Sequence, residues 1–356
     1  MKRIIVQVLM MLLVSSVFPQ SKNAANTEVT FKRDDNAQKV DVIIGGKFFT
    51  SFIYPKTLEK PVLYPLCTST GIEVTRGFPI NPRPGERVDH PHHVGCWFNY
   101  GDVNGLDFWN NSYAIPEAEK SHYGSIKNVK IVKAEGGIDD GLLVFTCQWV
   151  NQKEQVLLDE ETTMIFSGDD FNRKIVRITR LKASNGPVKF GDSKEGLFAI
   201  RVDRAFETPS ETPEIFTDAS GKQTTVPILN NEGVNGVYRS SEGKEKDAVW
   251  GTRASWVSLT AIKAGEEISI CLFDHPSNPG YPACWHARGY GLFSVNNIGR
   301  KGYNPNESEN TLMLNKGETV EFRHMILIKT GGAITSDEMN NQLREFKSSP
   351  DHAATK

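Results

Sequence analysis

Alternation of apolar and polar residues with a period of two runs through this sequence and limits its fold more than any other feature. Residues 40–44 alternate before a Gly45-Gly46 turn, and a second run follows at 48–54. This pattern predicts a β-hairpin, because strand side chains return to the same face every two residues. Similar runs, most of them separated by Gly, Asp, Asn or Ser turns, occur at 129–132, 142–150, 156–166, 175–181, 197–202, 256–261, 268–273 and 320–328. We therefore predict an all-β protein built from antiparallel strands.

The interior of the chain shows no linker, composition break or internal repeat. We predict a single β-sandwich domain over 39–347, flanked by flexible segments at 21–38 and 348–356. One helix is predicted at the far end, where Thr335 and Glu338 form a capping box and Met339, Leu343 and Phe346 recur at helical spacing. We expect this helix to pack on the sheets.

The N-terminal residues have the pattern of a secretory signal. Lys2 and Arg3 precede an apolar run at 4–14, and a short polar exit follows. The run is shorter than the roughly 20 residues that a spanning helix needs, and no later segment reaches that length. We predict a signal peptide at 1–20 and a periplasmic or secreted protein without a membrane span.

The charge balance argues against a nucleic-acid partner, and the cysteine spacing argues against a disulfide-stabilised fold. The 41 basic and 43 acidic side chains leave a formal charge of −2, which gives no general attraction for nucleic acid. The five cysteines are scattered and lack CxxC spacing, so we expect most of them to be buried apolar residues rather than a disulfide framework.

The segment 76–111 is unusually rich in residues that carry chemistry. It contains His90, His92 and His93 together with two tryptophans and several Asp and Asn residues. If the residues around Pro91 are extended, His90 and His92 point to one face and His93 points away. Such a pair suits acid–base catalysis, a divalent metal or simple hydrogen bonding to neighbouring loops, although zinc needs three or four ligands.

Two further segments add polar groups far along the chain. Residues 274–297 repeat the mixture of the first segment, with two histidines, a tryptophan and an arginine. Asp192 and Glu195 lie in a turn before a strand that contains Arg201, and a carboxylate near a histidine is the minimum for proton transfer at neutral pH. Glu195 and Arg201 could instead form an ordinary ion pair. We expect the two histidine-rich segments to meet where loops gather at one end of the sandwich.

The aromatic and amide content of these segments favours a carbohydrate ligand. Trp97, Trp109 and Trp285 offer flat faces for sugar rings, and Asn99 and Asp107 offer directed acceptors and donors for hydroxyls. Some of these tryptophans could equally belong to the core. No nucleophile elbow, phosphate loop, zinc-protease helix or dinucleotide fingerprint occurs in the sequence.

The segments RGFP, PGERVDHPHHVGCWFNYGDVNGLDFWN, DSKEGLFAIRV and HPSNPGYPACWHARGYGLFSVNN resemble the PmoA-like family of exported bacterial proteins over roughly residues 40 to 330. That family looks related to the galactose-mutarotase-like β-supersandwich, whose members mostly act on sugars. The resemblance carries over candidate positions without assigned roles: Arg76, Glu86, His90, His92, His93, Trp97, Asp192, Glu195, Arg201, His275, Trp285, His286 and Arg288. The label also refers to a methane oxygenase subunit of the bilayer, which needs several apolar runs that this chain lacks.

We therefore predict a large antiparallel β-supersandwich enzyme that binds a sugar or modified glycoside, as a hydrolase, lyase or epimerase. The catalytic candidates are His90, His92, Asp192, Glu195 and His286. The substrate-binding candidates are Arg76, His93, Trp97, Asn99, Asp107, Trp109, Arg201, His275, Trp285 and Arg288. A non-catalytic carbohydrate-binding protein is the alternative from another class. A divalent metal on His90 and His92 is a third hypothesis.

Overall fold

The structure, a computed structural model, describes residues 27–348 and contains nineteen β-strands, three 3-10 helices and one α-helix within them. The strands are β1 Glu28–Asp34, β2 Lys39–Ile44, β3 Lys47–Ile53, β4 Val62–Leu66, β5 Cys96–Tyr100, β6 Ser125–Glu135, β7 Gly137–Ile138, β8 Asp140–Val150, β9 Val156–Gly168, β10 Asn172–Ala183, β11 Val188–Phe190, β12 Gly196–Arg201, β13 Val237–Ser240, β14 Trp256–Lys263, β15 Glu266–Asp274, β16 Cys284–Ala287, β17 Leu292–Asn296, β18 Leu312–Leu314 and β19 Thr319–Lys329. The helices are α1 at Ser336–Ser348 and the 3-10 helices at Glu117–His122, Arg204–Phe206 and Lys246–Val249.

Two large antiparallel sheets enclose the main core. The nine-stranded sheet has the order β16-β17-β12-β5-β4-β3-β2-β1-β7, and the eight-stranded sheet has the order β13-β14-β15-β19-β10-β9-β8-β6. Inward side chains of both sheets, such as Phe98 from β5 and Phe322 from β19, form one continuous apolar cluster. The prediction of an all-β protein with large antiparallel sheets is confirmed.

The hairpin predicted around the two glycines is present between β2 and β3. Gly45 and Gly46 have φ values of +59° and +73°, in the left-handed region that a residue without Cβ enters at least cost. The other eight predicted runs all lie in strands or overlap them. Alternation therefore located these strands correctly.

The predicted C-terminal helix is confirmed as α1. Thr335 Oγ1 accepts a hydrogen bond from Glu338 N at 3.2 Å, and Glu338 Oε2 accepts one from Thr335 N at 2.8 Å, as the capping box requires. Met339, Leu343 and Phe346 are buried against apolar residues of β14, β15 and β19. The helix covers the outside of the eight-stranded sheet.

Several predictions about the ends of the chain have different outcomes. The segment 21–38 was predicted to be flexible, but residues 28–34 form β1, because Val29 is fully buried and the strand pairs with β2 and β7. The predicted signal peptide and nearly all of the predicted tail lie outside the described residues.

All five cysteines are buried and free. Among residues 27–348, no helix has both the length and the apolar character needed to cross a membrane.

Candidate functional site

The site lies on the outer face of the nine-stranded sheet, which is the face turned away from the eight-stranded sheet. Along β5, Phe98 joins the core between the sheets, whereas Trp97 joins a separate cluster on the outer face. Neighbouring strands β16, β17, β12 and β5 therefore all present alternate residues there. His286 of β16 contributes to this face, while the adjacent Trp285 belongs to the core.

The structure brings the two histidine-rich segments together. The His90 ring stacks on the Tyr290 ring at 4.9 Å between centroids, and Glu195 Oε2 lies 3.5 Å from His286 Nδ1. We expected loops to meet at one end of the sandwich. Asp89, His90, Glu195 and Tyr290 do lie in loops or turns, and they meet over the outer face of the nine-stranded sheet. His286 belongs to β16, the last strand of that sheet.

Four aromatic rings stack in a column, which we call the pillar, within the site. From Tyr290 through His90 and His93 to Trp97, successive centroids lie 4.9, 4.8 and 5.3 Å apart, with planes within 20° of parallel. The expectation that His90 and His92 share a face of an extended segment is wrong. His90 has a φ of +44°, and its carbonyl accepts a hydrogen bond from His93 N at 2.9 Å, so the segment turns and places His90 against His93.

Asp89 anchors this pillar, and our sequence analysis did not select it. Its Oδ1 accepts hydrogen bonds from Arg76 Nη1 at 2.6 Å and Arg201 Nη2 at 2.5 Å, and its Oδ2 lies 2.8 Å from His90 Nδ1. Although burial opposes ionisation, Arg201, His90 and Arg76 together lower the pKa of Asp89 well below its ordinary value. The sequence did contain a signal for this role, because Asp89 directly precedes His90. Its carboxylate fixes the imidazole through Nδ1 and leaves Nε2 facing away from it.

Arg201 also fixes the tautomer of His93. Arg201 Nη1 lies 3.1 Å from His93 Nδ1, and a guanidinium can only donate, so the proton of the neutral imidazole is on Nε2. Burial also lowers the pKa of His93 well below its ordinary value. Neither His93 Nε2 nor Trp109 Nε1 has a hydrogen-bond partner among the described residues, although both are buried. These are two donors that a bound oxygen atom could satisfy.

Glu195 is the partly exposed acid of the site. Its side chain is 21% exposed; burial, followed by the charge of Asp107, raises its pKa, while Lys194 and His90 oppose the shift. Burial, together with Arg288 and Lys194, lowers the pKa of His286 to about 3, so its imidazole is neutral at physiological pH. The arrangement is a carboxyl group of raised pKa beside a neutral ring, which suits proton exchange with a ligand.

Lys60 is a second residue that the sequence analysis missed. Its ammonium donates to the His92 carbonyl oxygen at 2.7 Å and lies 5.3 Å from the Trp97 ring. Burial lowers the pKa of Lys60 to about 7, and burial with the charge of Lys60 lowers the pKa of His92 to about 2. His92 is therefore a buried, neutral residue that supports the turn.

Three predicted site residues lie elsewhere. Asp192 accepts hydrogen bonds from four backbone amides, those of Arg300, Lys301, Gly302 and Asn310, so it fixes a loop. The His275 ring packs 4.9 Å from Phe346 of α1, outside the eight-stranded sheet. Trp285 is fully buried in the core and donates to Ala254 O at 2.8 Å. The sequence pattern could not show which face or loop each one occupies.

The remaining candidates support the frame of the site. Trp97 Nε1 donates to Asn99 Oδ1 at 3.0 Å, and Asn99 donates to the Phe108 carbonyl at 2.6 Å. Asp107 Oδ1 accepts from the backbone amides of Trp109 and Asn110, at 2.8 and 2.9 Å. In a neighbouring loop, Glu86 accepts from the backbone amides of Gly77, Phe78 and Arg83. The alternative Glu195–Arg201 ion pair is not formed; Arg201 pairs with Asp89, and Glu195 lies 3.7 Å from Lys194.

The metal hypothesis finds no ligand set in the part of the chain that the structure describes. No group of three or more His, Cys, Asp or Glu side chains there is arranged to hold a metal ion. The His90 and His92 rings are nearly perpendicular at 5.6 Å, and His90 Nδ1 already faces Asp89. Two imidazoles without a third ligand do not make a zinc site.

Comparison with known proteins gives a family. Residues 39–344 match the family model described as "Family of unknown function (DUF6807)". The chain belongs to this family. The PmoA-like label is not the one that this match gives. No curated protein matches the DUF6807 chain.

Solved structures similar to this DUF6807 protein share little sequence with it. A GH36 alpha-galactosidase, AgaB from Geobacillus stearothermophilus, is 12% identical with a TM-score of 0.39, and the match covers 85% of this chain and 41% of the galactosidase. A galactose mutarotase related enzyme from Lactobacillus acidophilus is 8% identical with a TM-score of 0.29, covering 85% of this chain and 97% of that enzyme. This chain therefore spans less than half of the galactosidase.

Proposed function

We propose that this DUF6807 protein is an exported carbohydrate-active enzyme in which Glu195 and His90 transfer protons to and from a sugar or glycoside. The observation that carries the proposal is the carboxyl of Glu195, whose pKa burial raises, 3.5 Å from Nδ1 of the neutral His286, in the site where the His90 ring stacks on Tyr290. Acid–base catalysis needs a carboxyl and an imidazole that reach one ligand.

The roles follow from the contacts of each group. Asp89 holds His90 by Nδ1, so His90 Nε2 is the atom that accepts or donates a proton. Glu195, whose pKa is raised by burial, serves as the complementary acid or base at a ring or glycosidic oxygen. His92, which the sequence analysis favoured equally with His90, is unsuited to this role because it is buried and its pKa is about 2.

The carbohydrate class rests on the surroundings of these groups. Tyr290 presents a ring beside His90, the kind of flat apolar surface on which a sugar ring packs. The sequence resemblance to the galactose-mutarotase-like supersandwich points to the same class. Export follows from the predicted signal peptide, and we propose 39–347 as one catalytic domain.

The non-catalytic alternative predicts an open aromatic platform without acid–base groups. Trp97 and Trp109 are instead buried, with 0% and 1% exposure, and the accessible groups are His90 and Glu195. This distribution favours an enzyme over a binding protein.

The test is a turnover panel of free sugars, glycosides and keto-glycosides with wild type, Glu195→Gln and His90→Gln. We expect at least one substrate, with kcat/KM reduced about 100-fold or more in each variant. Glu135→Gln, on an exposed strand end, is the matched control and should match wild type. Turnover that neither site variant changes would refute the assignment.

A further inference from the structure

Beside the candidate site lies a cleft of about 510 Å³ that the acid–base groups do not use. Its walls come from four parts of the chain and include Arg87, Glu214, Asp247, Trp250, Arg288 and Tyr290. Tyr290 belongs to both places, since its ring also stacks on His90. The cleft volume is within the range of sites that bind small molecules.

We propose that this cleft binds a second sugar unit, so that the substrate is a saccharide of at least two units rather than a free monosaccharide. This inference rests on the proposed function, because it takes the first unit to lie at Glu195 and His90. It narrows the substrate class that the acid–base groups alone leave open.

Arg288 has the surroundings of a ligand-binding arginine. Its guanidinium lies between two rings, 5.7 Å from the Trp250 centroid and 5.6 Å from the Tyr290 centroid. No acidic side chain of residues 27–348 forms an ion pair with it, so its N–H groups remain available to hydroxyl oxygens. Trp250 Nε1 is also shielded from solvent without a partner in that part of the chain. Stacked rings and forked donors are what a sugar ring requires.

The charges of the cleft decide between a neutral sugar and an anion. Arg87 and Arg288 are matched in number by Glu214 and Asp247, and Arg87 Nη1 already pairs with Glu214 Oε1 at 3.0 Å. An anionic ligand would meet two carboxylates in the same space. A neutral ligand that bears hydroxyl groups can donate to these carboxylates and accept from Arg288.

One short stretch of chain joins the cleft to the site. His286 lies 3.5 Å from Glu195, and the next residues, Ala287 and Arg288, already line the cleft. The Trp250 ring contacts Tyr303 at 5.6 Å, and Tyr303 contacts His286 at 5.9 Å. A ligand of two linked rings can therefore place one ring at each position.

The test measures the affinities of cellobiose, maltose and lactose against glucose and galactose by calorimetry, using the full chain with Glu195→Gln to prevent turnover. We expect one disaccharide to bind at least tenfold more tightly than its component monosaccharide. Arg288→Gln, and separately Thr212→Trp, which fills the cleft from its exposed rim, should reduce that ratio about tenfold. Thr319→Trp, exposed on the eight-stranded sheet, is the matched control and should keep the ratio.

The outcomes separate the two proposals. Equal affinities for disaccharides and monosaccharides, or a ratio that neither cleft variant changes, would overturn the second sugar position and leave the acid–base site standing. Failure of every sugar to bind, together with no turnover by wild type, would overturn the proposed function and this inference with it.

Discussion

Asp89→Asn tests the electrostatic frame of the site. The Arg76 and Arg201 side chains are 1% and 0% exposed, and both donate to the single carboxylate of Asp89, at 2.6 and 2.5 Å. Asn keeps the shape but removes the charge, which leaves two buried guanidinium groups without their shared anion. Breaking a buried ion pair from one side costs about 3–5 kcal/mol, and we expect the free energy of unfolding to fall by that amount.

The assay is urea unfolding of wild type and variant between pH 7 and pH 3. The folded-state pKa of Asp89 is lowered, so its contribution is present above the ordinary value of 3.8 and is lost as the pH falls further towards the folded-state pKa. The difference between the proteins should thus be full at pH 7 and shrink below pH 4. Asp35→Asn removes an exposed pair with Arg33 and should change the free energy of unfolding little, because solvent screens that pair. A cost at Asp89 no larger than that of the control would refute the reasoning.

Three further predictions concern the surroundings of the site. Asp192→Asn, which weakens the binding of four backbone amides, should lower the free energy of unfolding by about 2 kcal/mol and leave kcat unchanged; a large loss of kcat in the folded variant would return Asp192 to the catalytic group. Gly95→Ala should lower the unfolding midpoint strongly, because φ is +56° and the new Cβ would lie 2.2 Å from Leu63 O; an unchanged midpoint in urea would contradict this packing. The pKa of His286 is lowered to about 3, so below pH 6.5 the unfolded chain binds a proton that the folded chain does not. The free energy of unfolding therefore decreases by about 1.4 kcal/mol for each unit by which the pH is lowered. His286→Gln should remove that part of the slope, and equal slopes in the two proteins would contradict a buried neutral imidazole.

The sequence predicted the long strands whose residues alternate between buried and more exposed positions, but it missed the short alternating strand β13. Strand β8, for example, alternates buried and half-buried residues along most of its length. Strands β5, β16 and β17 were missed; every one of their residues is buried, so they show no alternation, although the equally buried β12 was among the predicted runs. Two of them, β5 and β16, carry Trp97 and His286, so the sheet face beneath the site was not predicted.

The chemistry of the site was predicted better than its geometry. Residue types and spacing selected His90, Glu195 and His286, which the structure places in one area. They also selected His275 and Trp285, because a sequence does not show which side of a sheet a residue faces. Asp89 was missed since its role depends on two arginines that approach from separate parts of the chain.

The most direct test of the central claim is a crystal structure of Glu195→Gln bound to a sugar that the wild type turns over. We predict that one ligand oxygen lies within hydrogen-bond distance of the residue 195 side chain and that His90 Nε2 reaches the same sugar ring. A sugar bound away from both residues, on either sheet, would contradict it.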